Sequence, residues 1–126
     1  MWFGLAKIGC VSALINTQIS GEALRHALAT TASQKLFVGA ECLDRLDSTP
    51  DMLASLSTCV VADGEAKGMP ASCVTLESRL IGQPDGNPDP KLREGITGQS
   101  ALCLVFTSGT TGLPKAARVT QARWLG

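Results

Sequence analysis

The sequence carries no net charge, since eleven acidic and eleven basic residues cancel over 126 positions. A broad nucleic-acid surface is therefore excluded as an expectation. Histidine is nearly absent: His26 stands alone. Cys10, Cys42, Cys59, Cys73 and Cys103 show no close spacing, so no zinc pattern and no metal-ligand set can be assembled. Their odd number and scatter argue for free thiols in a reducing, intracellular compartment. Cys10, Cys59 and Cys103 lie in apolar strand-like runs and are expected in the core. There is also no apolar stretch of the ~18 residues needed to span a bilayer. The nearest approach, Met1 to Ile15, has Lys7 inside it rather than a basic lead, which is the wrong order for a secretory leader. A helix followed by a buried strand fits that stretch. No repeats and no low-complexity tract occur.

What is present is alternation. Trp2, Leu5, Ile8 and Gly9 are spaced for one helical face, and Cys10 to Ile15 reads as a strand. Ser20 can cap a helix from Gly21 to about Thr31 that packs Ala23, Leu24, Ala27 and Leu28. Lys35 to Val38 reads as a short strand closed by Gly39. Glu41 to Leu46 is expected to be helical, and Pro50 can open a further helix to about Ser57. Thr58 to Ala62 is a third strand, stopped by Asp63-Gly64. Strands alternating with helices predict an α/β fold with a mostly parallel sheet. Between Gly82 and Gly98, glycines, prolines and charges form an exposed loop longer than most connections. Three parts follow: an α/β unit (1–81), the loop (82–98), and a terminal strand–loop–strand (99–126).

The most specific feature lies in that last part. Leu102 to Phe106 is a buried-strand run leading into Thr107-Ser108-Gly109-Thr110-Thr111-Gly112-Leu113-Pro114-Lys115, and Ala116 to Thr120 can return as a strand. The hydroxyls of Thr107, Ser108, Thr110 and Thr111 can donate to phosphoryl oxygens. Gly109 and Gly112 permit positive φ and close approach of the main chain. Lys115 supplies a mobile positive charge. The run is not a Walker A loop, because Pro114 stands where that motif requires its second glycine. Pro114 also discourages a helix directly after the glycines, leaving hydroxyls, amides and the lysine to hold an anion. A plain Thr/Ser/Gly turn is the bland alternative for any shorter piece of this run. Glu41, Asp44, Asp47, Asp51, Asp63 and Glu65 make the middle acidic, whereas Lys115, Arg118 and Arg123 make the end basic. That basic end suits a polyphosphate, or is simply a solvated face.

The run Thr107 to Lys115 resembles the phosphate-loop signature of the adenylate-forming superfamily, which includes acyl-CoA synthetases, peptide-synthetase adenylation domains and luciferases. Met1-Trp2-Phe3-Gly4-Leu5-Ala6-Lys7-Ile8-Gly9-Cys10-Val11-Ser12-Ala13-Leu14-Ile15-Asn16 resembles an early helix and strand of one branch, the fatty-acid transport proteins and very-long-chain acyl-CoA synthetases. Pro114-Lys115-Ala116-Ala117 fits that branch too. The resemblance implies a partial N-terminal region of an adenylate-forming domain, ending in a phosphate-loop hairpin, with all three parts inside one truncated AMP-binding domain. It implies a fragment of a longer enzyme, inactive by itself. The family's adenine- and ribose-contacting segments, magnesium-contacting acid and C-terminal catalytic lysine come after this loop.

For the parent, the resemblance implies ATP, Mg2+ and coenzyme A as cofactors and a fatty acid as substrate, with no magnesium ligand in this chain. A fatty carboxylate attacks the α-phosphate of ATP, releasing pyrophosphate, and coenzyme A then displaces AMP. Thr107, Ser108, Gly109, Thr110, Thr111, Gly112 and Lys115 would bind the phosphates. Lys115 would also neutralise the leaving pyrophosphate, a catalytic role. The parent would associate with endoplasmic-reticulum, peroxisomal or plasma membranes, although this segment encodes no span. One departure is Gln121, where many relatives place a histidine after the return strand; glutamine cannot carry a proton charge near neutral pH. A non-catalytic nucleotide-binding or interaction protein, or a fragment of another adenylating enzyme, are the alternatives.

Overall fold

The computed structural model describes residues 1–63, 68–107 and 112–125. In chain order the elements are α1 (Trp2–Lys7), β1 (Ser12–Leu14), α2 (Gly21–Thr31), β2 (Lys35–Gly39), α3 (Leu43–Leu46), α4 (Pro50–Ser55), β3 (Thr58–Ala62), β4 (Cys73–Thr75), α5 (Leu76–Leu80), β5 (Ala101–Thr107), β6 (Lys115–Thr120) and α6 (Gln121–Leu125). Short 3-10 turns at Ala40–Cys42 and Pro90–Arg93 complete them. The fold is α/β as the alternation predicts, with its strands divided between two three-stranded sheets. The chain forms two compact units, one from residues 1–16 and 85–126, the other from 17–84.

In the second unit the order is β2-β3-β4, all parallel. The central strand β3 is buried from Cys59 to Ala62, which explains its unbroken apolar run: a parallel strand flanked on both sides has no solvent face to mark with polar residues. Leu24, Ala27 and Leu28 form the buried stripe of α2, while Ala23 is half-buried. Ser20 sits at the N-cap with extended backbone, but its side chain makes no capping bond. Ser48 takes that role instead, its Oγ accepting from the Gly21 N–H at 3.0 Å. Two short elements here, β4 and α5, follow the described boundary at Gly68. The start of α5 is set by Thr75, whose hydroxyl accepts from the Ser78 N–H at 3.3 Å.

In the first unit β5 is central, parallel to β1 and antiparallel to β6. Leu102 and Cys103 are its buried residues. Trp2 of α1 meets Trp124 of α6 edge-to-face with centroids 4.7 Å apart, a favourable aromatic geometry. Residues 82–98 are mostly exposed, yet they are tied to α1: Lys7 Nζ donates to Asn87 Oδ1 at 2.9 Å. Cys10 departs from expectation. It is exposed, because strand pairing begins only at Ser12 and Cys10 falls between the Ile8–Gly9 turn and that strand, whereas Cys59 and Cys103 are buried as expected. No helix among the described residues is long and apolar enough to cross a membrane.

Candidate phosphate-binding hairpin

The antiparallel pair β5–β6 forms the hairpin that the apolar run and its return predict. Thr107, the last residue of β5, is the register partner of Lys115, the first of β6. Directly opposed residues share a sheet face, so the hydroxyl and the ammonium stem start on the same side of the hairpin mouth. Both are exposed. The Thr107 hydroxyl also reaches the Lys115 carbonyl at 3.5 Å, the outer limit of a hydrogen bond. Its oxygen therefore stays available to a stronger partner.

Gly112 has φ +92°, and none of the described residues lies within 4 Å of an added Cβ. Its glycine character answers to backbone conformation, since the left-handed region disfavours side chains. Pro114 is buried beneath the mouth, and Lys115 opens the strand directly after it, with no helix in between. Ser108, Gly109, Thr110 and Thr111 lie outside the described residues.

Arg118 and Arg123, the other basic residues of this end, do not share the face of Lys115 at the mouth. Arg118 is three positions along β6, so it leaves the opposite face of the sheet; Arg123 lies beyond, on α6. Nor is the start of α6 an anion site. The Gln121 N–H donates to the Ser100 carbonyl at 3.0 Å and the Ala122 N–H to the Gly98 carbonyl at 2.9 Å. The Arg123 N–H donates to Thr120 Oγ1 at 3.3 Å. Gln121 is half-buried at the head of this helix. Sequence reasoning missed both α6 and the turn that holds it. The available signal was the polar Thr97-Gly98-Gln99-Ser100 set directly before an apolar strand.

His26 is remote in role from any of this: it sits half-buried on α2, its ring 3.4 Å from the Thr30 hydroxyl. Among the described residues no group of three or more His, Cys, Asp or Glu gathers to hold a metal ion.

The hairpin belongs to a recognisable pattern. A family model described as AMP-binding enzyme matches residues 1–125. The chain belongs to the AMP-binding enzyme family. It is 38% identical over 126 residues to long-chain fatty acid transport protein 6 of Homo sapiens, covering 99% of this chain and 20% of that protein. It is 34% identical over 127 residues to long-chain fatty acid transport protein 5 of Homo sapiens, covering 99% and 18%. The chain thus spans about one fifth of the length of these curated relatives. Among solved structures, the anthranilate CoA ligase AuaEII in complex with anthranoyl-AMP superposes with a TM-score of 0.76 at 24% identity, over 95% of this chain and 22% of that one. That likeness supports the α/β fold of an adenylate-forming ligase, here present in part.

Proposed function

We propose that this chain is the phosphate-loop portion of an ATP-dependent fatty-acid:CoA ligase of the long-chain fatty acid transport type. In this reading the Thr107–Lys115 hairpin holds the β- and γ-phosphates. The observation that carries it is the pairing of Thr107 with Lys115 at the mouth of a hairpin whose sequence is rich in hydroxyls and glycine. A donor and a cation on one face, fixed by a β-ladder, are preorganised for an anion that gains charge as it leaves. The fatty carboxylate attacks the α-phosphorus, the bond to the bridging oxygen breaks, and its electron pair leaves with pyrophosphate. Lys115 meets the charge that builds there. Thr107, Ser108, Thr110 and Thr111 donate hydrogen bonds, and Gly109 and Gly112 let the main chain approach. Transfer of the acyl group to coenzyme A follows elsewhere in the complete domain, in a protein that works at an intracellular membrane.

The test uses a protein carrying this segment within a complete AMP-binding domain. Lys115→Ala should lower the single-turnover rate of acyl-adenylate formation far more than it weakens fatty-acid binding. Loss of one preorganised donor of this kind costs about 3–4 kcal/mol in activation free energy, and a contact realised in the transition state shows in the rate constant. Adenylate formation at the wild-type rate would sink the charge-neutralising role and leave a plain turn between two strands.

A further inference from the structure

The placement of Lys115 depends on the register of β6, and the usual determinant of register is missing. Register is firmly specified where one face of a strand is buried, because a one-residue slip moves every apolar side chain to the wrong side. Lys115, Ala116, Ala117 and Arg118 are all exposed, and Val119 and Thr120 only half-buried. Burial along β6 does not alternate, so packing penalises a slip weakly. Among the described residues the strand lies at the sheet edge with β5 as its single partner.

The end of the hairpin away from the mouth is built differently. The Thr97 N–H donates to Ser100 Oγ at 3.0 Å, the Ser100 N–H to the Thr97 carbonyl at 3.0 Å, and the Gln99 N–H to Thr97 Oγ1 at 3.3 Å. This closed turn then presents two carbonyls, those of Gly98 and Ser100, to the first amides of α6. A Cβ on Gly98 would stand 3.3 Å from the Ala122 Cβ, so the approach is tight. Directly after the turn, β5 shows its one register irregularity, between Ala101 and Cys103, at the buried Leu102. Irregularities of this kind pin pairing locally. Leu102 fixes β5 to the core, and the turn fixes the far end of β6 to β5.

We infer that the Thr97–Ser100 turn, by clasping Gln121 and Ala122, sets the register of β6 and so decides on which sheet face Lys115 stands. Ser100 and Gly98 are positioning residues for the hairpin mouth. A slip by one residue would bring Ala116 opposite Thr107 and send the Lys115 ammonium to the other face. The structural half of this inference stands by itself, and its consequence for anion binding rests on the phosphate-loop reading.

The test uses the 126-residue chain, with inorganic pyrophosphate as the probe. Backbone NOEs between Val105 and Ala117 report the register, and titration reports affinity. Ser100→Ala combined with Gly98→Val should abolish the Val105–Ala117 NOEs and weaken pyrophosphate binding by the same factor as Lys115→Ala. Ser100→Thr, which keeps the hydroxyl, should preserve both. If the double variant does not fold, Ser100→Ala alone is read in the same two ways. Unchanged NOEs in these variants would overturn the inference, whatever happens to affinity. Shifted NOEs with pyrophosphate affinity unaltered, or absent already in the wild type, would uphold the register role and overturn the phosphate-loop reading instead.

Discussion

Cys59 and Cys73 stand directly opposite each other across the parallel strands β3 and β4, and both are buried, at 3% and 5% exposure. Desolvation pushes the Cys59 thiol up from an ordinary 9.0 to about 12, and its hydrogen bond to Cys73 adds to the effect. A buried thiolate is costly in an apolar site, so Cys59 stays protonated where a free cysteine would ionise.

The first prediction is an alkaline limit on the second unit. The folded pKa of Cys59 lies above the unfolded one, so its contribution is complete below pH 9.0 and lost as pH rises towards about 12. In that window the unfolded chain sheds its proton first, and ionisation favours unfolding. Denaturant midpoints should be level below pH 9.0 and fall as the pH rises from there towards about 12. Cys59→Ala should flatten that slope. An equally steep fall in the alanine variant would remove Cys59 as its source.

Thiol labelling is the second expected outcome. Cys10 is exposed, Cys42 half-buried, and Cys59, Cys73 and Cys103 buried. Reactivity follows thiolate fraction and access together, and burial also holds the Cys103 thiol above its ordinary value. Peptide mapping after brief treatment with a maleimide should find Cys10 modified first and the three buried cysteines only after denaturant is added. Early labelling of Cys103 would contradict its burial in β5.

A third outcome concerns acid. Arg25 on α2 pairs with Asp51 on α4. The hydrogen bond from Arg25 holds the Asp51 carboxyl below its ordinary 3.8. A depressed folded pKa gives stability that is present above pH 3.8 and lost as pH falls through the folded value. Both partners are exposed, so salt should screen the effect. Following the Asp51 side chain by NMR, Arg25→Ala should return its titration towards the ordinary value, and high salt should do so in part. A titration that does not move in the variant would mean the pair is not formed in solution.

Much of this architecture was legible in residue patterns, and the failures have physical causes. The unbroken apolar run of Thr58–Ala62 announces a doubly flanked parallel strand, and the stripe Leu24-Ala27-Leu28 announces the buried side of α2. The first is a continuous apolar run and the second a helical period, and each is distinct from its surroundings. β4 and α5 have three and five residues, too short for any period to register. The capping of α2 by Ser48, and the clasp of Thr97–Ser100 on α6, are tertiary hydrogen bonds between segments distant in sequence. No local pattern encodes them. At the hairpin, the residue types Thr107, Gly112 and Lys115 could be read from the chain. That Thr107 and Lys115 are opposed, while Arg118 leaves the other face, follows only from the register.

The last prediction separates two reasons for a glycine. Gly9, Gly21 and Gly112 all have positive φ, at +75°, +56° and +92°. Around Gly21 and Gly112 an added Cβ would meet nothing within 4 Å, whereas at Gly9 it would lie 2.5 Å from Ile96 Cδ1 and 3.3 Å from the Leu92 carbonyl oxygen. Gly21→Ala and Gly112→Ala therefore incur conformational strain alone, of order 1 kcal/mol. Gly9→Ala incurs that strain and a clash with the segment that packs on α1, raising its total to about 2–4 kcal/mol. Trimming the neighbour distinguishes the two terms: Ile96→Val shortens the offending side chain but leaves φ at residue 9 untouched. In a double-mutant cycle followed by chemical denaturation, Gly9→Ala should be less damaging in the Ile96→Val background. If the two substitutions are simply additive, residues 92–96 do not rest against Gly9 in solution, and that glycine serves the turn into β1 alone.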